Sequence, residues 1–120
     1  MRKILIVDDE PNIVMTLEYA FKKKNFEVYI ARDGSEALEI LKTKTPNVIL
    51  LDIMMPEVDG YQTIELIKKN KALKNTKVIF LSAKSKSSDV EKGLQLGADK
   101  YFTKPFSIRK IVNEVEELIH

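Results

Sequence analysis

Residues 48–60 read V-I-L-L-D-I-M-M-P-E-V-D-G, a short apolar run that ends in an aspartate. Four consecutive apolar residues without polar alternation are typical of a strand that is buried on both faces of a parallel sheet. Asp52 ends the run, and a loop containing Pro56 and Gly60 follows it. Open α/β folds bind their ligands beyond the carboxyl ends of the strands, so this carboxylate stands where a site is expected.

Length and composition indicate one globular domain over residues 1–120. The chain has 44% apolar and 32% charged residues, enough to bury a core and too mixed to be disordered. It has no Cys, which excludes a disulfide scaffold and a thiolate metal or redox site. The apolar run after Met1-Arg2-Lys3 is too short for a signal-peptide core or a membrane span, so we expect a cytoplasmic protein without a membrane association.

The charges are nearly balanced. Twenty basic and eighteen acidic residues give a net charge of +2. The basic residues are scattered, and neither a basic stripe nor interleaved aromatic residues accompany them. We therefore expect no direct binding of nucleic acid.

Apolar runs alternate with segments of helical periodicity along the whole chain, which predicts parallel strands covered by helices on both faces of the sheet. The predicted strands are Lys3–Val7, Glu27–Ala31, Val48–Leu51, 77–81 and Lys100–Thr103. The predicted helices are 11–24, 34–44, 60–70, a helix from Ser88 or Asp89 to a stop at Gly97, and one from residue 108 to the C-terminus.

Several residues predict helix ends. Asp33 with Glu36 has the form of a capping box, while Asp59 and Ser107 are expected N-caps. Few strongly apolar residues lie in the fourth helix, which follows a Ser-rich segment. We expect it to be the least firmly packed of the five.

Polar residues follow four of the strands. Because parallel strands end at one edge of the sheet, these residues must lie near one another. Three carboxylates, a hydroxyl and an ammonium group are suited to a hard cation and a phosphoryl group. The residues are Asp8, Asp9, Asp52, Ser82 and Lys104.

At these positions the sequence resembles the receiver domain of two-component response regulators, the family that includes the chemotaxis response regulator. The matching motifs are K-I-L-I-V-D-D-E, L-L-D-I-M-M-P-E-V-D-G, F-L-S-A and K-Y-F-T-K-P-F, in this order over the whole chain. The resemblance implies a doubly wound, flavodoxin-like α/β fold with five parallel strands in the order 2-1-3-4-5 and five helices. It also implies a cis bond between Lys104 and Pro105.

The resemblance further implies roles at the acidic end of the site. Asp52 would be the phospho-acceptor, which takes a phosphoryl group from a phosphohistidine and becomes an aspartyl phosphate. Asp9, Asp52 and the backbone carbonyl of Met54 would hold Mg²⁺, and Asp8 would act through a metal-bound water.

Three further residues would respond to the phosphoryl group. By the same resemblance, Lys104 would form an ion pair with it and the switch hydroxyl of Ser82 would donate a hydrogen bond to it. The Tyr101 ring would turn inward when that hydroxyl moves. The chain would thus be a regulator that catalyses only its own phosphorylation and dephosphorylation. We expect the dephosphorylation to be slow, because neither Met54 nor Lys84 is suited to orient an attacking water.

The implied partners are a sensor histidine kinase or phosphotransfer protein and an unknown effector. Signalling would pass through the surface of the fourth helix, fifth strand and fifth helix, and a phosphorylation-dependent homodimer is left open. Two other functions would need features that this sequence lacks. A flavin mononucleotide module needs a phosphate-binding loop after the first strand, where Asp8, Asp9 and Glu10 would repel phosphate. A Mg²⁺-dependent phosphatase needs a second acid two residues after its nucleophile, where this chain has Met54.

Overall fold

A computed structural model describes residues 1–55 and 58–119; Pro56, in the predicted loop, Glu57 and His120 lie outside the described residues. The sheet has the strand order β2-β1-β3-β4-β5 and every pairing is parallel, as predicted. The strands are β1 (Lys3–Val7), β2 (Glu27–Ala31), β3 (Val48–Leu51), β4 (Lys77–Ser82) and β5 (Lys100–Thr103). The helices are α1 (Pro11–Lys23), α2 (Gly34–Leu41), α3 (Gly60–Lys69), α4 (Ser87–Gln95) and α5 (Ile108–Ile119).

The central strands are buried on both faces. In β1 the side chains of Ile4 and Ile6 join one apolar cluster and those of Leu5 and Val7 join the other, because successive side chains of a strand point to opposite faces. Helices α1 and α5 contribute to the first cluster and α2 and α3 to the second. The unbroken apolar runs in the sequence are thus explained by a sheet with helices on both sides.

Most element ends agree with the predictions within one residue, but α2 is shorter than expected. It ends at Leu41 rather than Lys44, and the amide of Lys44 bonds to the carbonyl of Ile40 in a closing turn. Pro46 disfavours helical backbone in the residue before it, so the helix cannot run on into β3. A 3₁₀ turn at Lys71–Leu73, where the Asn70 side chain accepts a bond from Ala72 N, was not predicted.

The helix caps are partly as predicted. Asp59 accepts a bond from Gln62 N and the Gln62 side chain accepts one from Asp59 N, which completes a capping box. At α2 only half of the predicted box forms. Asp33 accepts from Glu36 N, whereas the Glu36 carboxylate binds the backbone of Arg32.

The remaining predicted ends are also found. Ser107 Oγ accepts a bond from Lys110 N at the start of α5. Gly97 has a φ of 109°, which glycine adopts without the strain that a side chain would cause, and it follows the end of α4. The Lys104-Pro105 bond is cis.

Helix α4 is packed less firmly than its neighbours. Its one buried residue is Gly93, whereas each of the other α-helices in the described ranges buries at least three. Leu94 is 44% exposed. The helix lies close to the sheet at Gly93, where a Cβ would come within 2.9 Å of the Phe80 ring. The prediction of a loosely packed fourth helix is confirmed.

Candidate functional site

Asp8 lies at the carboxyl end of β1 with its carboxylate buried. Its amide continues the ladder to Ala31 O, and its Oδ1 accepts a hydrogen bond from Glu10 N at 2.9 Å. The residue is only 2% exposed. Its Oδ2 forms an ion pair with the Lys104 ammonium at 2.9 Å. One oxygen of Asp8 is therefore fixed by the backbone, and the other points into the pocket.

Asp52 occupies the matching place at the end of β3. Its amide donates to Val7 O, which sets it beside the end of β1, and its Oδ1 accepts a weak bond of 3.3 Å from Met54 N. It is 3% exposed. Its Oδ2 lies 3.5 Å from the Lys104 ammonium. Asp8 and Asp52 thus each direct one carboxylate oxygen at the Lys104 ammonium.

Lys104 reaches this point because its backbone continues the ladder between β4 and β5. Its amide donates to Ser82 O at 2.8 Å, which aligns the end of β5 with that of β4. The ammonium then contacts Asp8 and Asp52 and also lies 2.8 Å from Glu10 Oε1. Ser82 is fully buried, and its Oγ accepts a bond from Lys84 N.

The charges in the pocket act strongly on one another. Burial, followed by the negative charge of Asp8, raises the pKa of Asp52 from 3.8 to about 6, although Lys104 and Met54 N–H oppose the shift. Burial alone would lower the pKa of Lys104. Its contacts with Glu10 and Asp8 and the charge of Asp52 outweigh this, so the pKa of Lys104 is raised and the group stays charged.

Tyr101 lies beside the site without entering the carboxylate group. Its hydroxyl donates a 2.7 Å hydrogen bond to Lys84 O, and its ring centroid lies 5.8 Å from that of Phe80. Since Lys84 N donates to Ser82 Oγ, Tyr101 and Ser82 both bind the backbone of one loop residue. This shared contact connects the end of β4 with the exposed side of β5.

The carboxylates fit a hard divalent cation. One oxygen from each of Asp8, Glu10 and Asp52 lies within 4.8 Å of the others. Carboxylate oxygens are the donors that Mg²⁺ prefers. Asp9, which the resemblance assigns to the metal, is exposed, and its carboxylate is not part of this group of three.

Glu10 is the member of the pocket that we did not predict as a site residue. In the sequence it stands as the third acid of a helix start. Pro11 occupies the first turn of α1 and leaves Glu10 at the N-cap, yet the Glu10 side chain caps nothing and extends to Lys104 instead. The proline was the available signal, because it marks where the helix begins and so where the preceding side chain lies relative to the strand ends.

Fold and site together define a class: a doubly wound parallel α/β protein with a buried acidic pocket and one paired lysine at the carboxyl edge of its sheet. Within that class the chain belongs to the response regulator receiver domain family, whose model matches residues 4–116.

Similar proteins agree with this assignment. Protein PilG of Pseudomonas aeruginosa is 44% identical over 114 residues, which cover 95% of this chain and 84% of that protein. The alkaline phosphatase synthesis transcriptional regulatory protein PhoP of Bacillus subtilis is 39% identical over 98% of this chain and 48% of its own length. The structure of the Francisella response regulator 1452 receiver domain is 35% identical, with a TM-score of 0.91 over 99% of this chain and 97% of that one.

Family membership establishes a signalling role as a phospho-acceptor in two-component regulation, in which the acidic pocket uses Mg²⁺. Receiver domains act with histidine kinases or phosphotransfer proteins and with downstream effectors. Among residues 1–55 and 58–119, no helix combines the length and the apolar character that crossing a membrane requires.

Proposed function

We propose that residues 1–120 form one receiver domain that is phosphorylated on Asp52 and acts as a switch in the cytoplasm. The observation that carries this proposal is the approach of Lys104 to the buried carboxylates of Asp8 and Asp52, at 2.9 and 3.5 Å. Asp52 follows the central strand β3, and burial beside Asp8 raises its pKa. Asp8 lies beside it and would act on Mg²⁺ through a metal-bound water.

The transfer would begin with a phosphohistidine donor at the mouth of the pocket. An Asp52 carboxylate oxygen bonds to phosphorus as the phosphorus–nitrogen bond breaks, and the leaving imidazole nitrogen takes a proton from solvent. The products are an aspartyl phosphate and a neutral histidine. A carboxylate and a phosphoryl group repel each other, so the reaction depends on nearby positive charge and on positioning.

The chain supplies part of that charge itself. Lys104 lies 3.5 Å from Asp52 Oδ2 and can donate to a phosphoryl oxygen bound there. Mg²⁺, held by Asp8, Asp9, Asp52 and the Met54 carbonyl, would neutralise further charge on the phosphoryl oxygens. Ser82 Oγ lies at the adjacent strand end and accepts a hydrogen bond from Lys84 N. On phosphorylation it would give up this bond and donate a hydrogen bond to the phosphoryl group.

The output surface would be α4, β5 and α5. A movement of Ser82 would shift the backbone at Lys84, whose amide binds Ser82 Oγ and whose carbonyl accepts the hydrogen bond from the Tyr101 hydroxyl. Beside β5 an open groove between α4 and α5 has both apolar and charged walls, and α4 is weakly held. This surface would change its affinity for an effector or for a second copy of the chain. The groove is lined by Val90, Leu94, Tyr101, Phe106, Lys110 and Glu114.

Labelling with acetyl phosphate and Mg²⁺ tests the switch against a phosphatase. We expect a single phosphoryl group per chain and no steady turnover of p-nitrophenyl phosphate, because Met54 stands where a phosphatase needs a second acid. Continuous ester hydrolysis would favour the enzyme instead. A flavin module would reveal itself by the absorbance of the purified protein in the flavin band.

The phosphorylated state is expected to be long-lived. Met54 is 57% exposed at the mouth of the pocket and offers no strong donor or acceptor to an attacking water. Met54→Asn supplies an amide there and should accelerate hydrolysis of the aspartyl phosphate by on the order of tenfold, the effect of one hydrogen bond of about 1.4 kcal/mol.

The measurement is the decay of labelled protein after removal of the donor. Leu66→Asn, at an exposed position of α3, is the matched control and should decay like the wild type. An unchanged decay of Met54→Asn would show that this position does not limit the lifetime.

A further inference from the structure

The Lys104 ammonium has more carboxylate neighbours than the phosphorylation chemistry needs. Asp8 and Glu10 lie at 2.9 and 2.8 Å, and Asp52 is the most distant of the three at 3.5 Å. An ammonium group has three N–H donors. A phosphoryl group on Asp52 must therefore obtain its hydrogen bond from a lysine that already binds two other carboxylates closely.

The three carboxylates differ in how firmly they are held. Asp8 is fixed by the bond from Glu10 N and Asp52 by the bond from Met54 N, and both are almost fully buried. The Glu10 side chain is 57% exposed, and Lys104 is its one hydrogen-bond partner among the described residues. Glu10 is therefore the contact that can be released at least cost when the lysine turns to a new ligand.

We infer that Glu10 is a positioning residue that competes with the phosphoryl group for the Lys104 ammonium and thereby slows phosphorylation. This inference rests on the proposed phosphorylation of Asp52. Glu10 draws the ammonium toward the solvent side of the pocket, away from Asp52. Phosphoryl uptake then requires that the contact between Glu10 and Lys104 lengthens.

Glu10→Gln tests the inference because it keeps the shape of the side chain and removes its charge. With acetyl phosphate, saturating Mg²⁺ and low salt, the variant should be phosphorylated up to about fivefold faster, the size expected for a partly exposed ion pair. The difference in phosphorylation rate between Glu10→Gln and the wild type should become smaller as salt is added, because salt screens the ion pair. Glu18→Gln is the matched control, since Glu18 forms a 2.8 Å pair with Lys22 on α1 away from the pocket, and it should behave like the wild type.

Glu10→Asp distinguishes the direct contact between residue 10 and Lys104 from the effect of a negative charge at residue 10 on the whole pocket. It retains the charge, but its side chain is one methylene shorter, and an aspartate at this N-cap position can bind the first turn of α1 instead of Lys104. A contact effect predicts faster phosphorylation in this variant too. A wild-type rate in Glu10→Asp would overturn the inference.

A binding measurement checks the same point without turnover. At saturating Mg²⁺, Glu10→Gln should bind the beryllium trifluoride anion, a stand-in for the phosphoryl group, several-fold more tightly than the wild type. An unchanged or slower uptake, or a several-fold loss of Mg²⁺ affinity, would overturn the inference, because Glu10 would then be inert or a metal ligand. If the wild type takes up no phosphoryl group, the proposed function fails; if it does and the variants match it, only this inference fails.

Discussion

Asp52→Asn is expected to increase the free energy of unfolding of the metal-free protein by about 1 to 3 kcal/mol near pH 8. In the folded chain Asp52 is buried beside Asp8, which raises its pKa to about 6 from 3.8. Keeping this carboxylate charged therefore costs folding free energy. Asparagine has nearly the same shape and carries no charge, so it avoids the cost.

The pH dependence of the effect has a definite sign. Between pH 3.8 and about 6 the folded wild type binds more protons than the unfolded chain, so this group lowers stability progressively as pH rises through that window. Above about pH 6 the loss is complete. The advantage of Asp52→Asn should thus be full near pH 8, shrink as pH falls through 6 and vanish below about 4.

Urea unfolding of both proteins over this pH range, in the presence of a chelator, measures the difference. Asp33→Asn is the matched control, because asparagine caps a helix as well as aspartate does. Mg²⁺ should stabilise the wild type and reduce the gap, since an ion that binds the folded state favours it. Equal or lower stability of metal-free Asp52→Asn would contradict a strained carboxylate pocket.

Gly60→Ala is expected to lower the free energy of unfolding by about 2 to 3 kcal/mol. A Cβ at this position would lie 2.4 Å from Asp52 O and 2.7 Å from Ile53 Cα. Both are backbone atoms, so the strand end itself would have to move. Alanine has a higher helix propensity than glycine, so the loss of stability would appear in spite of a favourable change in propensity.

Chemical denaturation of Gly60→Ala beside Glu65→Ala measures this effect. Glu65 is exposed on the same helix, so its replacement should change stability by less than about 0.5 kcal/mol. Because the clash displaces Asp52, Gly60→Ala should also be phosphorylated more slowly. If Gly60→Ala is as stable as the wild type, the start of α3 does not pack against the end of β3 as closely as the structure indicates.

The sheet could be predicted because its signal is local. Buried parallel strands such as β1 and β3 must be apolar on both faces, and an acid directly after such a strand marks its end. Asp8, Asp52, Ser82 and Lys104 could be placed at one edge for that reason. The structure brings the side chains of Asp8, Asp52 and Lys104 together, and the backbone carbonyl of Ser82 accepts a bond from Lys104 N. The metal and switch roles of Asp9, Met54 and Tyr101 stay predictions that the resemblance supplies.

The features that sequence reasoning missed depend on distant contacts. Glu10 reads as a helix-start acid, and only the position of Lys104, which lies 94 residues later, draws its side chain into the pocket. Glu36 likewise had the spacing of a capping box, but its carboxylate binds the Arg32 backbone. Asn25, with a φ of 67° after α1, carries no sequence signal as clear as that of a glycine.

The most direct test of the account is the intact mass of wild type and Asp52→Asn after treatment with acetyl phosphate and Mg²⁺. We expect the wild type to gain the mass of one phosphoryl group and the variant, which should fold at least as stably, to gain none. Equal labelling of the two proteins, or a wild type that gains no mass, would contradict the assignment of Asp52 as the phospho-acceptor.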